Sequence, residues 1–192
     1  MADRAPLFLL AGGQSSRMGQ DKARVEVADR PLILHVVAQC GYSPDEVTVV
    51  AAPGRSYADL GLRTLEDALA HEGPFSGLVT ALGDAAAGPL LVVGCDQWGL
   101  TPEMRHRLEA AVTEGAPAAA FRGLRWHPLP LVACSSSAAS ARAAIDGGER
   151  SLWRWLERSG AVALPEPEGW SEVVSVDDEA ALAAARAAAQ AE

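Results

Sequence analysis

The sequence predicts an α/β fold: a three-layer domain over residues 1–192, built on a mainly parallel (mixed) sheet with helices on both faces. Three observations predict it. Short apolar runs recur at Leu7–Ala11, Glu46–Ala52 and Leu90–Gly94, each the length of a buried strand and far short of a membrane span. Helix-like segments alternate with them, the arrangement that covers both faces of a parallel sheet. The chain is also long enough, at 192 residues with 49% hydrophobic and 21% charged side chains, to bury one sizeable core.

Leu7–Ala11 opens the pattern and runs straight into a glycine-rich loop ending at Ala23. Val25 and Val27 alternate with Arg24 and Glu26 as a short half-exposed strand does, and Asp29-Arg30-Pro31 turns the chain. Leu32–Cys40 reads as a helix ended near Gly41, and Glu46–Ala52 as a buried strand closed by Pro53-Gly54. Arg63–Glu66 is a third strand, delivering Glu66-Asp67; a turn-rich segment follows and a helix is expected from about Ser76 to Ala86. Leu90–Gly94 is a fourth strand and delivers Cys95-Asp96. Thr101-Pro102-Glu103 caps the next helix, since the threonine can accept backbone N–H bonds and the acid favours the positive helix end.

The second half is less regular. Ala118–Phe121 and Leu129–Cys134 read as strands joined by the Arg122–Pro128 segment, and Ser135–Ile145 and Ser151–Arg158 as helices. Short strands at Val162–Leu164 and Val173–Val176 and an alanine-rich helix from about Asp177 complete the chain. The loss of regularity divides the expected single domain into a half over residues 1–100 and a half over residues 101–192.

The net charge of −9 argues against nucleic acid or an anionic membrane as partner. Met1–Pro6 contains an acid and no long apolar core follows, so no secretory signal is read and the cytoplasm is expected; Cys40, Cys95 and Cys134, far apart and odd in number, are expected as buried free thiols with no zinc or redox pair.

The loop after the first strand carries the chemistry. Gly12, Gly13 and Gly19 let a ligand lie against bare peptide N–H groups, Ser15 and Ser16 add hydroxyls, and Arg17 and Lys22 add fixed charge, a set suited to a polyphosphate. Of the sixteen basic residues, Lys22 is the only lysine. Its compact ammonium can reach into a phosphate cluster. Neither the P-loop spacing nor the G-x-G-x-x-G fingerprint is present. In a sheet of this kind ligands bind beyond the carboxyl ends of the strands, so Gly12, Asp67 and Asp96 should meet at one rim. Asp96, just past an all-apolar strand, is the first candidate to hold Mg²⁺. Asp67 is the second, for nucleotide or metal.

Leu10–Lys22 meets every specified position of L-A-G-G-x-S-x-R-M-G-x-D-K and so resembles the molybdenum cofactor guanylyltransferases. Glu66-Asp67, Gly73-Pro74-Phe75-Ser76-Gly77, Gly94-Cys95-Asp96, His127-Pro128-Leu129 and Gly148–Leu152 are similar to further motifs of that family. The resemblance implies a Rossmann-like nucleotidyltransferase fold and transfer of GMP from GTP to the molybdopterin cofactor, with Mg²⁺ assisting in-line attack and pyrophosphate leaving. It implies nucleotide contacts at Leu10, Ala11, Gly12, Gly13, Lys22, Asp67 and Asp96, catalytic roles for Arg17, Lys22 and Asp96, Mg²⁺ on Asp96, and acceptor contacts at His127, Trp126 and Arg150. A monomer is expected, meeting cofactor-synthesis or recipient enzymes transiently.

The departures fall on the specificity side. Pro53 stands where many members carry an asparagine, Ser175–Glu179 replaces an N-x-N-T-P segment, and Gln97-Trp98 follows Asp96 where C-D-x-P is expected. An ionised aspartate only accepts, so Asp177 beside an anionic pterin phosphate needs an intervening cation. These changes keep alive a nucleotidyltransferase using CTP or a sugar-phosphate acceptor, and a non-catalytic nucleotide-binding module.

Overall fold

The computed structural model describes residues 4–12, 21–67, 69, 73–112 and 115–190. Its strands and helices follow in chain order: β1 (Leu7–Ala11), β2 (Glu26–Val27), β3 (Arg30–Pro31), α1 (Leu32–Gln39), β4 (Val47–Ala51), β5 (Arg63–Glu66), α2 (Pro74–Asp84), β6 (Pro89–Gly94) and β7 (Gln97–Trp98). The second half adds α3 (Pro102–Ala111), β8 (Ala118–Arg122), β9 (Trp126–Cys134), α4 (Ala138–Asp146), α5 (Leu152–Ser159), β10 (Val162–Leu164), β11 (Val174–Ser175) and α6 (Glu179–Ala189).

Seven strands form the main sheet in the order β10-β8-β9-β6-β1-β4-β5. β1 pairs in parallel with both β4 and β6, β4 with β5 and β10 with β8; β9 alone runs antiparallel, against β6 and β8. The sheet is therefore mainly parallel and mixed, as expected. Alternate side chains of β1 divide the core. Leu7, Leu9 and Ala11 pack with α1 and α3 on one face, and Phe8 packs with α2, α4 and α5 on the other. No helix among the described residues is long and apolar enough to cross a membrane.

A third, smaller core lies outside the sheet. Val25, Val27 and Leu32 from the start of the chain pack against Trp98, Val176, Leu182 and Ala185. β7 pairs antiparallel with β11, and the Val176 amide donates to the Asp96 carbonyl at 2.9 Å. This ribbon carries the C-terminal segment back over the rim of the sheet.

Local chemistry explains most boundaries. Thr101 caps α3 as expected, its hydroxyl accepting from the Met104 amide. Ala28 and Asp29 take positive φ angles of 46° and 59° in the two-residue turn between β2 and β3, the geometry that suits a tight hairpin. Two expectations need correction. Trp126–Pro128, read as part of a connecting segment, belongs to β9; Pro128 and Pro130 lie beyond the part of β9 that pairs with β6, next to a register irregularity opposite Ala120–Arg122, where lost N–H donors cost little. The Ser135–Ile145 helix begins with a 3₁₀ turn at Ser135–Ser137, and α4 proper starts at Ala138.

Candidate active site

A cleft of about 400 Å³ opens at the carboxyl ends of β1, β4, β5 and β6, where the topology places a ligand. Its lining includes Leu10 and Ala11 at the end of β1 with Gly12 after it, Arg55 after β4, Asp67 after β5, and Cys95 and Asp96 after β6. Asp21 and Lys22 reach it from the far end of the glycine-rich loop. Gly13, Ser15, Ser16, Arg17 and Gly19 lie outside the described residues.

Lys22 and Asp96 share this cleft, with Nζ 3.9 Å from Oδ2. Lys22 also pairs with Asp177, whose carboxylate the β7–β11 ribbon brings 155 residues along the chain to the same ammonium. The cation required beside Asp177 is thus Lys22 itself. Burial raises the pKa of Asp96 and the neighbouring Asp177 charge raises it further, against the opposing pull of Lys22. Such a carboxylate gains by meeting a cation. Mg²⁺ prefers oxygen ligands and keeps much of its water, so Asp96, with Asp177 near the same ammonium, fits it. Among the described residues no group of three or more His, Cys, Asp or Glu side chains is placed to hold a metal ion, so a cation at Asp96 would need ligands from outside the chain as well.

The segment that presents Lys22 is held firmly. Asp21 caps the 3₁₀ turn at Lys22–Arg24 by accepting from the Ala23 amide at 3.1 Å, and it accepts from the Tyr57 hydroxyl at 2.8 Å. Tyr57 is fully buried, and burial together with that hydrogen bond keeps its phenol protonated. Arg24 clamps the same loop from outside, donating to both oxygens of Asp59 at 2.8 Å and to the Ser56 carbonyl.

Other expected site residues fare differently. Asp67 lines the cleft but is buried, and its carboxylate accepts from Ser76 Oγ at 2.7 Å, Thr80 Oγ1 at 2.8 Å and the Leu69 amide at 3.0 Å. It ties α2 to the end of β5, and β1 and β4 separate its strand from that of Asp96. A metal role for Asp67 is therefore set aside. His127, Trp126 and Arg150 do not line the cleft. The His127 imidazole meets Glu166 at 2.6 Å and packs tilted against Trp170, Trp126 Nε1 donates to Glu157, and the Arg150 guanidinium donates to the Ile145 carbonyl at 2.7 Å. Sequence reasoning missed Arg55 and the Asp21–Tyr57 pair. The coincidence of Arg55 with the loop that follows a rim strand was the available signal.

A parallel-sheet rim where a strand-end carboxylate meets a lysine that follows a glycine-rich stretch suits a nucleotidyltransferase. The chain belongs to the MobA-like NTP transferase domain family, whose profile matches residues 7–162, and within it to the molybdenum cofactor guanylyltransferases. It is 36% identical over 167 residues to the molybdenum cofactor guanylyltransferase of Shewanella woodyi, covering 84% of this chain and 85% of that one. The fold is similar to that of molybdopterin-guanine dinucleotide biosynthesis protein A from Archaeoglobus fulgidus, with a TM-score of 0.78 at 22% identity over 97% and 99% of the two chains. It is also similar to 2-C-methyl-D-erythritol 4-phosphate cytidylyltransferase from Thermus thermophilus, with a TM-score of 0.68 at 17% identity over 95% and 98%.

Proposed function

We propose that this chain transfers GMP from GTP to the molybdopterin cofactor, forming the guanine dinucleotide and releasing pyrophosphate. The observation that carries the reading is the meeting of Lys22 and Asp96 in one cleft; the relatives' shared activity supplies the substrates. The residues from Leu10 to Gly12 would offer their backbone to the nucleotide, and Lys22 would leave Asp177 for the triphosphate oxygens. An oxygen of the acceptor's terminal phosphate attacks the α-phosphorus of GTP, the bond from that phosphorus to the bridging oxygen breaks, and pyrophosphate carries the electron pair away. No protein nucleophile is needed. Asp96, with Asp177, would hold Mg²⁺, which when bound neutralises charge on the phosphate oxygens. Arg17, by the family pattern, would add a second cation at the phosphates, and His127 and Arg150 are kept as acceptor-side residues on the strength of that pattern alone. The two buried thiols, Cys40 and Cys95, are free, which suits a reducing cytoplasm.

The test is a melting screen of GTP, CTP and ATP with Mg²⁺, followed by pyrophosphate release from GTP and molybdopterin cofactor. GTP should give the largest rise, since a ligand at a hundred times its Kd stabilises by about 2.7 kcal/mol. Asp96→Ala should abolish pyrophosphate release while part of the GTP-dependent shift survives. Unchanged turnover in that variant would reject the role of Asp96.

A further inference from the structure

Arg55 is the cleft residue that no sequence motif singles out. It ends the turn after β4, its amide donating to the Ala52 carbonyl at 3.2 Å, and its side chain lines the cleft. Among the described residues no hydrogen bond uses its guanidinium, and the one carboxylate within ion-pair range is Asp21, with Nη1 3.9 Å from Oδ1. Asp21 is already held by Tyr57 and by the Ala23 amide. It aims the guanidinium without consuming its donors.

The ammonium and hydroxyl donors among the other cleft side chains already have partners. Lys22 is matched by two carboxylates, the Ser76 hydroxyl meets Asp67 and the Gly73 carbonyl, and Asp67 accepts three hydrogen bonds. Arg55 therefore brings up to five unspent N–H donors in a planar fork. Its place along the rim matters as much. β4 lies across β1 from β6, so Arg55 follows the β4 end of the rim, two strands from the end that delivers Asp96, and the lining of the same cleft includes Val50 of β4. With phosphates gathered at Lys22 and Asp96, this is the end left for the base.

We propose that Arg55 reads the nucleobase, donating through its guanidinium to O6 and N7 of guanine. Those two atoms are adjacent acceptors, the pair an arginine fork fits, whereas adenine turns an amino donor to the same edge and cytosine has no matching pair. Arg55 also supplies side-chain donors from the loop in which Pro53 has none. This inference rests on the GTP reading above.

The experiment measures the affinity of the full chain for GTP, 7-deaza-GTP and ATP, in the wild type and in Arg55→Ala and Arg55→Lys, with melting curves checking that each variant folds. The wild type should prefer GTP to both analogues. Arg55→Ala should weaken GTP roughly ten- to a hundredfold, the range of a bidentate arginine–guanine contact, and should bind GTP and 7-deaza-GTP equally. Arg55→Lys, which keeps the charge and loses the fork, should not restore the N7 preference. A variant that keeps that preference, or an equal loss for all three nucleotides, would overturn the assignment and make Arg55 a bystander or a phosphate contact. A wild type that fails to favour GTP would instead overturn the GTP reading on which the assignment depends.

Discussion

At the scale of single residues, the active cleft holds an internal conflict. Asp96 is largely buried beside Asp177, and its raised pKa means that the ionised form is disfavoured in the folded chain. A carboxyl raised on folding keeps its proton where the unfolded chain has already lost it. Stability therefore falls as pH rises from the ordinary carboxylate range through the raised value, and stays lower above it. Asp96→Asn should remove this slope and raise the melting temperature of the ligand-free protein at neutral pH while activity is lost; a gain of about 1 kcal/mol would register as roughly 2–4 °C. A calorimetric pH series on both proteins checks it. Lys22 and Asp96 were legible in the sequence because one closes the glycine-rich motif and the other directly follows an apolar strand. Asp177 as a partner of Lys22 was not, since nothing local records a contact made across 155 residues.

At the scale of elements, the β7–β11 ribbon governs where Asp177 sits. Gly99, directly after β7, has φ of 88°, and a Cβ there would overlap the Glu172 carbonyl just before β11. Both faults act together, because the backbone region and the space each exclude a side chain. Gly99→Ala should cost about 1–3 kcal/mol and shift the ribbon, which a denaturant titration and the loss of the Lys22–Asp177 contact in a crystal structure would show. The strands of the parallel half were legible because buried apolar runs betray themselves without tertiary knowledge. The extent of β9 was not: Pro128 read as the end of the connecting segment, and only the sheet shows that the strand runs on through it to Trp126, past the part that pairs with β6.

At the scale of the whole molecule, three packed cores divide the work. Two sandwich the sheet, and the third joins Val25, Val27 and Leu32 to Leu182 and Ala185 of α6. Leu182→Ala should therefore destabilise by about 2–4 kcal/mol and weaken nucleotide binding as well, because Leu32 directly follows the β2–β3 hairpin that leads from Lys22. Chemical unfolding with and without GTP separates the two effects. That third core also sets an order in time. A ribosome releases Lys22 155 residues before Asp177, so the nascent chain carries that ammonium without its carboxylate partner until the segment leading into α6 has emerged and can dock.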